Sequence, residues 1–89
     1  MMISIGYRNY ISAERIVAVI SPESRPTKNL ISGAREKGKL IDATMGKKTK
    51  SVIVSDSDHI ILSANSPDTI VHRVLSGSKK SNLSQDSHL

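Results

Sequence analysis

The sequence predicts a small, strand-rich α+β single domain, an antiparallel meander accompanied by two short helices. Its 89 residues accommodate one core and no second folded unit. Eleven Ile and six Val stand against two Tyr and no Phe or Trp, so the core is β-branched and suits pleated sheet. Two stretches carry helix start signals ahead of an apolar stripe, and only two do.

In chain order, Met2-Ile3-Ser4-Ile5 alternates and stops at Gly6, and Asn9-Tyr10-Ile11-Ser12 is a second extended stretch, so a hairpin or meander opens the fold. Residues 15–20 give the strongest strand signal. Ser21-Pro22-Glu23-Ser24 breaks that strand, and Ser24 is placed to cap a helix over residues 26–37 that ends at Gly38. Leu30, Ile31 and Ala34 form its apolar stripe, with Lys28 and Arg35 seven residues apart beside it. Residues 40–44, 49–55 and 59–64 then read as a three-stranded meander whose first turn is rich in lysine. Ser66-Pro67-Asp68 starts the second helix, which buries Ile70, Val71, Val74 and Leu75. Beyond residue 75 five of 14 residues are Ser and two are apolar, which predicts a folded domain over 1–75 and a disordered Ser/Lys-rich tail over 76–89.

Several strands are apolar at consecutive positions, as in Ile16-Val17-Ala18-Val19-Ile20 and Val52-Ile53-Val54, so both sheet faces are greasy. Two short helices do not cover both, which predicts self-association into a homo-oligomer. The longest apolar run has five residues, too short to span a membrane, and no Cys is present. A cytoplasmic protein without a membrane partner is expected.

The net charge of +5 is unevenly sorted. Residues 25–50 hold Arg25, Lys28, Arg35, Lys37, Lys39, Lys47, Lys48 and Lys50 against Glu36 and Asp42, and the flanking stretches supply none of the excess. Such clustering is the footprint of a polyanion partner. Within it, Met45-Gly46-Lys47-Lys48-Thr49-Lys50 suits a turn pressed against phosphates, where each neutralised charge releases counterions. Only Tyr7 and Tyr10 could stack on bases, so duplex DNA is favoured over single strands.

Other chemistries fit poorly. Asp56-Ser57-Asp58-His59 lacks the spacing of a calcium loop and makes a good turn, so no metal is expected. Gly46-Lys47-Lys48-Thr49 lacks the upstream Gly of a nucleotide loop, and the three His occupy unrelated elements without a nucleophile elbow. The reading is non-enzymatic, with no cofactor and no small-molecule substrate.

Taken together, Ile5-Gly6, Ser12-Ala13-x-Arg15, Ser21-Pro22-Glu23-Ser24-x-Pro26, Ala34-Arg35-x-x-Gly38, Leu40-Ile41-Asp42-Ala43-Thr44-x-Gly46 and Asp56-Ser57-Asp58-His59-x-Ile61-Leu62-Ser63 resemble the RemA family of bacterial regulatory proteins, over roughly residues 2–75. The resemblance implies a LytTR-like fold that forms rings and wraps duplex DNA, in the regulation of biofilm-matrix genes. The family's DNA-contacting arginines fall on Arg15, Lys47, Lys48 and Lys50, and Pro26 occupies a position important for activity. Three Lys thus replace Arg, keeping charge but losing the planar fork, and Met45 stands where an aromatic residue is frequent. The expected DNA surface comprises Arg15, Lys47, Lys48, Lys50, Arg25, Lys28 and Arg35, with Pro26 and Gly46 structural, in a nucleoid-associated transcription regulator or DNA organiser. The alternative is an RNA-binding or structural homo-oligomer with a basic belt.

Overall fold

The computed structural model describes the backbone of residues 1–86 and the side chains of residues 1–77. Strands β1 (Met2–Gly6) and β2 (Asn9–Ser12) form a separate two-stranded hairpin. After a 3-10 turn at Ala13–Arg15 come β3 (Ile16–Ile20), α1 (Arg25–Glu36), β4 (Leu40–Asp42), β5 (Ser51–Ser55), β6 (Ile60–Ser63) and α2 (Pro67–Asp86). The α+β class and nearly every element follow the sequence reading.

Both helices start where their caps predict. Ser24 Oγ accepts from the Thr27 N–H at 3.2 Å, and Ser66 Oγ accepts from the Thr69 N–H at 3.2 Å. Gly38, at φ 71°, takes the left-handed conformation that terminates α1. The segment 76–89, expected as a tail, falls outside the described residues for its side chains from residue 78 and its backbone from residue 87, while α2 is traced to Asp86.

The expected three-stranded meander needs correction. The second sheet has the order β3-β5-β6-β4, and β4 pairs in parallel with β6, Leu40 opposite Ile60 and Asp42 opposite Leu62. Burial explains the placement. Ile60, Ile61 and Leu62 are buried on both faces and claim an interior position, whereas Leu-Ile-Asp of β4 carries a charge and leaves Ile41 exposed, which suits an edge. Residues 43–50 therefore form a loop across the end of β6, and not a hairpin turn. Met45 (φ 54°) and Gly46 (φ 79°) swing the chain, and the Lys50 N–H donates to the Ser63 carbonyl at 2.8 Å as it enters β5.

Alternation divides the core in two. Val52, Ile60 and Leu62 pack with Ala34, Ile31 and Leu40 beneath α1. On the other face Ile53 and Ile61 pack with Ile3, Ile5, Ala43 and Ile70, beneath the β1–β2 hairpin and α2. The hairpin is thus the third cover. The central strands β5 and β6 are almost wholly buried within one chain, whereas edge strand β3 holds no buried residue, so the expected need for another copy narrows to the edges. What remains open are the sheet edges: Val17, in a β-bulge of edge strand β3, is 66% exposed and lies beside exposed Val71 and Leu75.

Two polar features tie the layers. Arg73 donates to the Ser4 carbonyl at 2.9 Å and to Asn65 Oδ1 at 2.7 Å, joining α2, the hairpin and the loop after β6. Ser51 is fully buried, and its hydroxyl is the buried side-chain polar atom without a partner among the described residues. Leaving such a group unsatisfied costs about 1–3 kcal/mol, so Ser51→Ala is expected to raise the melting temperature or leave it unchanged. A clear fall on thermal denaturation would show that the hydroxyl has a partner.

Candidate nucleic-acid interface

The register defines two ends of the sheet. At the loop end, β3, β4 and β6 finish and β5 begins, because Ile20 pairs with Val52 and Ser51 with Ser63. At the turn end, residues 56–59 join β5 to β6. Five residues of strand separate the two ends by about 17 Å.

Most of the predicted contact residues gather at the loop end. Lys47, Lys48 and Lys50 are exposed on the crossing loop. Arg25 opens α1, Pro26 stands in its first turn, and Lys28 follows, all just beyond the end of β3. The first turn of α1 contains no acid, so Arg25 and Lys28 face the positive end of the helix dipole and would both be relieved by an anion. The reading also missed a contributor. The β1–β2 turn sets Arg8 beside this end, since Ser63 Oγ donates to the Ile5 carbonyl at 2.8 Å and a β-carbon at Gly6 would lie 3.2 Å from Asn65 Oδ1, while Asn9 and Tyr10 of the same hairpin line a cavity with Arg15, Asp56 and His59 of the turn end. The signal was present as Gly6 and Asn9 bracketing two residues between alternating strands. The loop end carries Arg8, Arg25, Lys28, Lys47, Lys48 and Lys50 against Glu23, Asp42 and Asp68.

Asp42 serves the loop itself. One of its carboxylate oxygens accepts from Thr44 Oγ1 at 2.6 Å and from the Thr44 N–H at 2.9 Å, and the Lys47 N–H donates to the Thr44 carbonyl at 3.0 Å. The Thr44 hydroxyl first, then its backbone, hold the Asp42 carboxyl below its ordinary value of 3.8. A folded pKa below the unfolded one contributes stability above the unfolded value, lost as pH falls through the folded value. Asp42→Ala is therefore expected to destabilise the protein at neutral pH, with the difference narrowing below pH 3.8; parallel melts at both pH values test this, and a gap that does not narrow would refute it.

Arg15 and Arg35 are not part of this group. Arg15 lies at the turn end, where its guanidinium meets Asp56 Oδ1 at 3.3 Å with both side chains largely exposed, and Arg35 sits in the last turn of α1. There, Arg15, Arg35, Lys37 and Lys39 stand among Glu36, Asp56 and Asp58, while Glu14 is held by the Met1 terminal ammonium at 2.6 Å. An exposed pair such as Arg15–Asp56 contributes about 0–1 kcal/mol, so Arg15 exchanges partners readily.

The Asp56-Ser57-Asp58-His59 segment is knitted as a turn. Asp58 is left-handed at φ 67°, Ser57 Oγ lies 2.7 Å from His59 Nδ1 and 2.8 Å from Ser55 Oγ, and Lys39 Nζ donates to the Ser57 carbonyl at 3.3 Å. Among the described residues no group of three or more metal-ligating side chains converges, and no helix is long and apolar enough to cross a membrane. Gly46-Lys47-Lys48-Thr49 leads into a strand, unlike a nucleotide-binding loop, which leads into a helix.

Known proteins resemble this chain over most of its length. A family model described as extracellular matrix regulatory protein A-like matches residues 2–74. A protein of Alkaliphilus metalliredigens is 60% identical over 73 residues, covering 82% of this chain and 78% of that relative. One from Desulforudis audaxviator is 56% identical over 75 residues (84% and 79%), and one from Clostridium botulinum is 49% identical over 84 (94% and 92%). All three carry provisional names as regulatory proteins. A small α+β domain with a cationic loop end and such relatives is, by class, a regulatory protein. The chain belongs to the RemA-like family.

Proposed function

We propose that this protein binds duplex DNA through its loop end as a ring-like homo-oligomer, acting without catalysis in transcription regulation of the matrix-gene type or in DNA organisation. The convergence of Arg25, Lys28, Lys47, Lys48 and Lys50 from two separate segments at one end of the sheet carries this reading. Ammonium groups on an exposed loop neutralise phosphates without reading sequence, and α1 aims its dipole at the same place. The exposed apolar groups at the free edges, Val17, Val71 and Leu75 along β3 and Ile41 on β4, support assembly of copies. Assembly also gives Arg15 a role. At the opposite end from the lysines, it reaches a phosphate strand that they do not, or completes the surface of a neighbouring copy.

The test is titration of duplex DNA, duplex RNA and heparin with the full chain, together with light scattering. Tighter binding of duplex DNA and a mass that is a multiple of 9.7 kDa are expected. Equal affinity for all three would replace the DNA reading with that of a structural oligomer with a basic belt, and a monomer would remove the ring.

A further inference from the structure

The connection between β1 and β2 is unusual for its residues. Gly6 pairs with Asn9, leaving Tyr7 and Arg8 as a two-residue turn with φ of 53° and 64°. Hairpin turns with both central residues in this left-handed region are ordinarily made by Asn, Asp or Gly, because a β-carbon is strained there. Here the positions hold an aromatic ring and a guanidinium.

The fold makes little use of either side chain. Tyr7 is 49% exposed, and its carbonyl, not its ring, accepts from Asn9 Nδ2 at 3.4 Å. Arg8 is exposed and takes part in no ion pair among the described residues. Tyr7 and Tyr10, the chain's two aromatic side chains, are both outside the core, on this hairpin. Strain retained with exposed, chemically capable side chains points to a use outside the monomer.

The base of the turn is nonetheless fixed. Ser63 Oγ holds the Ile5 carbonyl, Arg73 holds the Ser4 carbonyl and Asn65, and the Lys50 N–H holds the Ser63 carbonyl. The hairpin tip and the basic loop therefore share the same short strut after β6. A tip of two residues is narrow, and the minor groove of duplex DNA, about 6 Å wide, admits narrow elements. A/T-rich minor grooves are narrower still and attract arginine through their enhanced negative potential.

We propose that the Tyr7–Arg8 tip enters the minor groove of duplex DNA whose phosphates are held by Lys47, Lys48 and Lys50, with Arg8 supplying an A/T preference that the lysines cannot. This rests on the DNA reading above and adds a groove contact to it. The strained turn is the cost of presenting the two side chains on a rigid point.

The double substitution Tyr7→Asn with Arg8→Gly tests this in the full chain, because Asn-Gly suits the same turn and relieves its strain. The melting temperature should rise and the mass in solution stay the same, while affinity for an A/T-rich duplex falls roughly five- to tenfold, as for loss of a groove-reading side chain. Affinity for a G/C-rich duplex should fall less. Arg8→Lys should keep most of the affinity and lose the A/T preference. Unchanged affinity and preference in the double variant would overturn the proposal and reduce the tip to a turn. An equal loss on both duplexes would make Arg8 a plain phosphate contact, and a fall in mass would assign the tip to a second copy; either result also overturns it. A parent protein that binds no duplex DNA would sink the DNA reading and this inference together, whereas failure of the tip variants alone leaves the DNA reading standing.

Discussion

Replacing Lys47, Lys48 and Lys50 together by Ala is expected to flatten the salt dependence of DNA binding more than any other surface change. Each phosphate that is no longer neutralised lowers the magnitude of d log K/d log[salt] by about 0.9 for every copy engaged on the same duplex. Three lysines over several copies can thus remove most of the slope, and with it several orders of magnitude in affinity at low salt. The loss should be alike for all sequences, since ammonium groups bind phosphate and do not read bases. Stability should scarcely change, because all three side chains are exposed and the loop's anchors, Asp42 to Thr44 and the Lys50 backbone to Ser63, are untouched. Arg in all three positions should strengthen binding through bidentate phosphate contacts. Titration of the Ala variant at two salt concentrations decides the matter. An unchanged slope would mean that the lysines serve only as a soluble loop, and Arg25 and Lys28 would become the leading contacts.

The largest effect on stability is expected from Ile53→Ala. Ile53 is fully buried at the middle of β5, where its side chain packs in the cluster that joins β1, β6 and α2. Truncation of a buried Ile costs about 2–5 kcal/mol, against a total stability of about 5–15 kcal/mol for a domain. In a domain of this size the melting temperature should drop by roughly 10 °C or more. Met2→Ala is the control: its exposed position on β1 predicts a change within about 0.5 kcal/mol. Chemical denaturation of both variants tests the pair, and a loss below about 1 kcal/mol for Ile53→Ala would show that the hairpin does not seal that face.

Much of this was legible in the sequence because it is local. Ser24 and Ser66 announce their helices, Gly6 closes a strand, and the lysines beside Gly46 announce a cationic loop. What the sequence hid is non-local. Leu40-Ile41-Asp42 reads the same whether it pairs with the following strand or with the one after that; the burial demand of Ile60-Ile61-Leu62 decides it, and this depends on what lies on each face. The opening hairpin reads as part of a meander, and its docking over Ile53 and Ile61 depends on Ile70 and Arg73, near the other end of the described chain. The same limit applies to the site. The charge run from 25 to 50 mixes Lys28 with Arg35, which α1 carries to opposite ends of the sheet, and omits Arg8, which the hairpin returns to the lysines.

The bond from Arg73 to the Ser4 carbonyl bridges 69 positions of sequence. During synthesis the first hairpin leaves the ribosome early and finds neither the sheet it covers nor the helix that clamps it. The unit from β3 to β6 can form before α2 is made, with one greasy face still open. Contacts this distant in the chain slow folding, since a long loop must close before they contribute. For this protein that interval coincides with an open apolar surface and two free strand edges, the conditions under which nascent chains of the same kind associate with one another. Completion of α2 ends the exposure, so a message truncated before codon 73 should yield an aggregation-prone product even though every strand of the sheet is present.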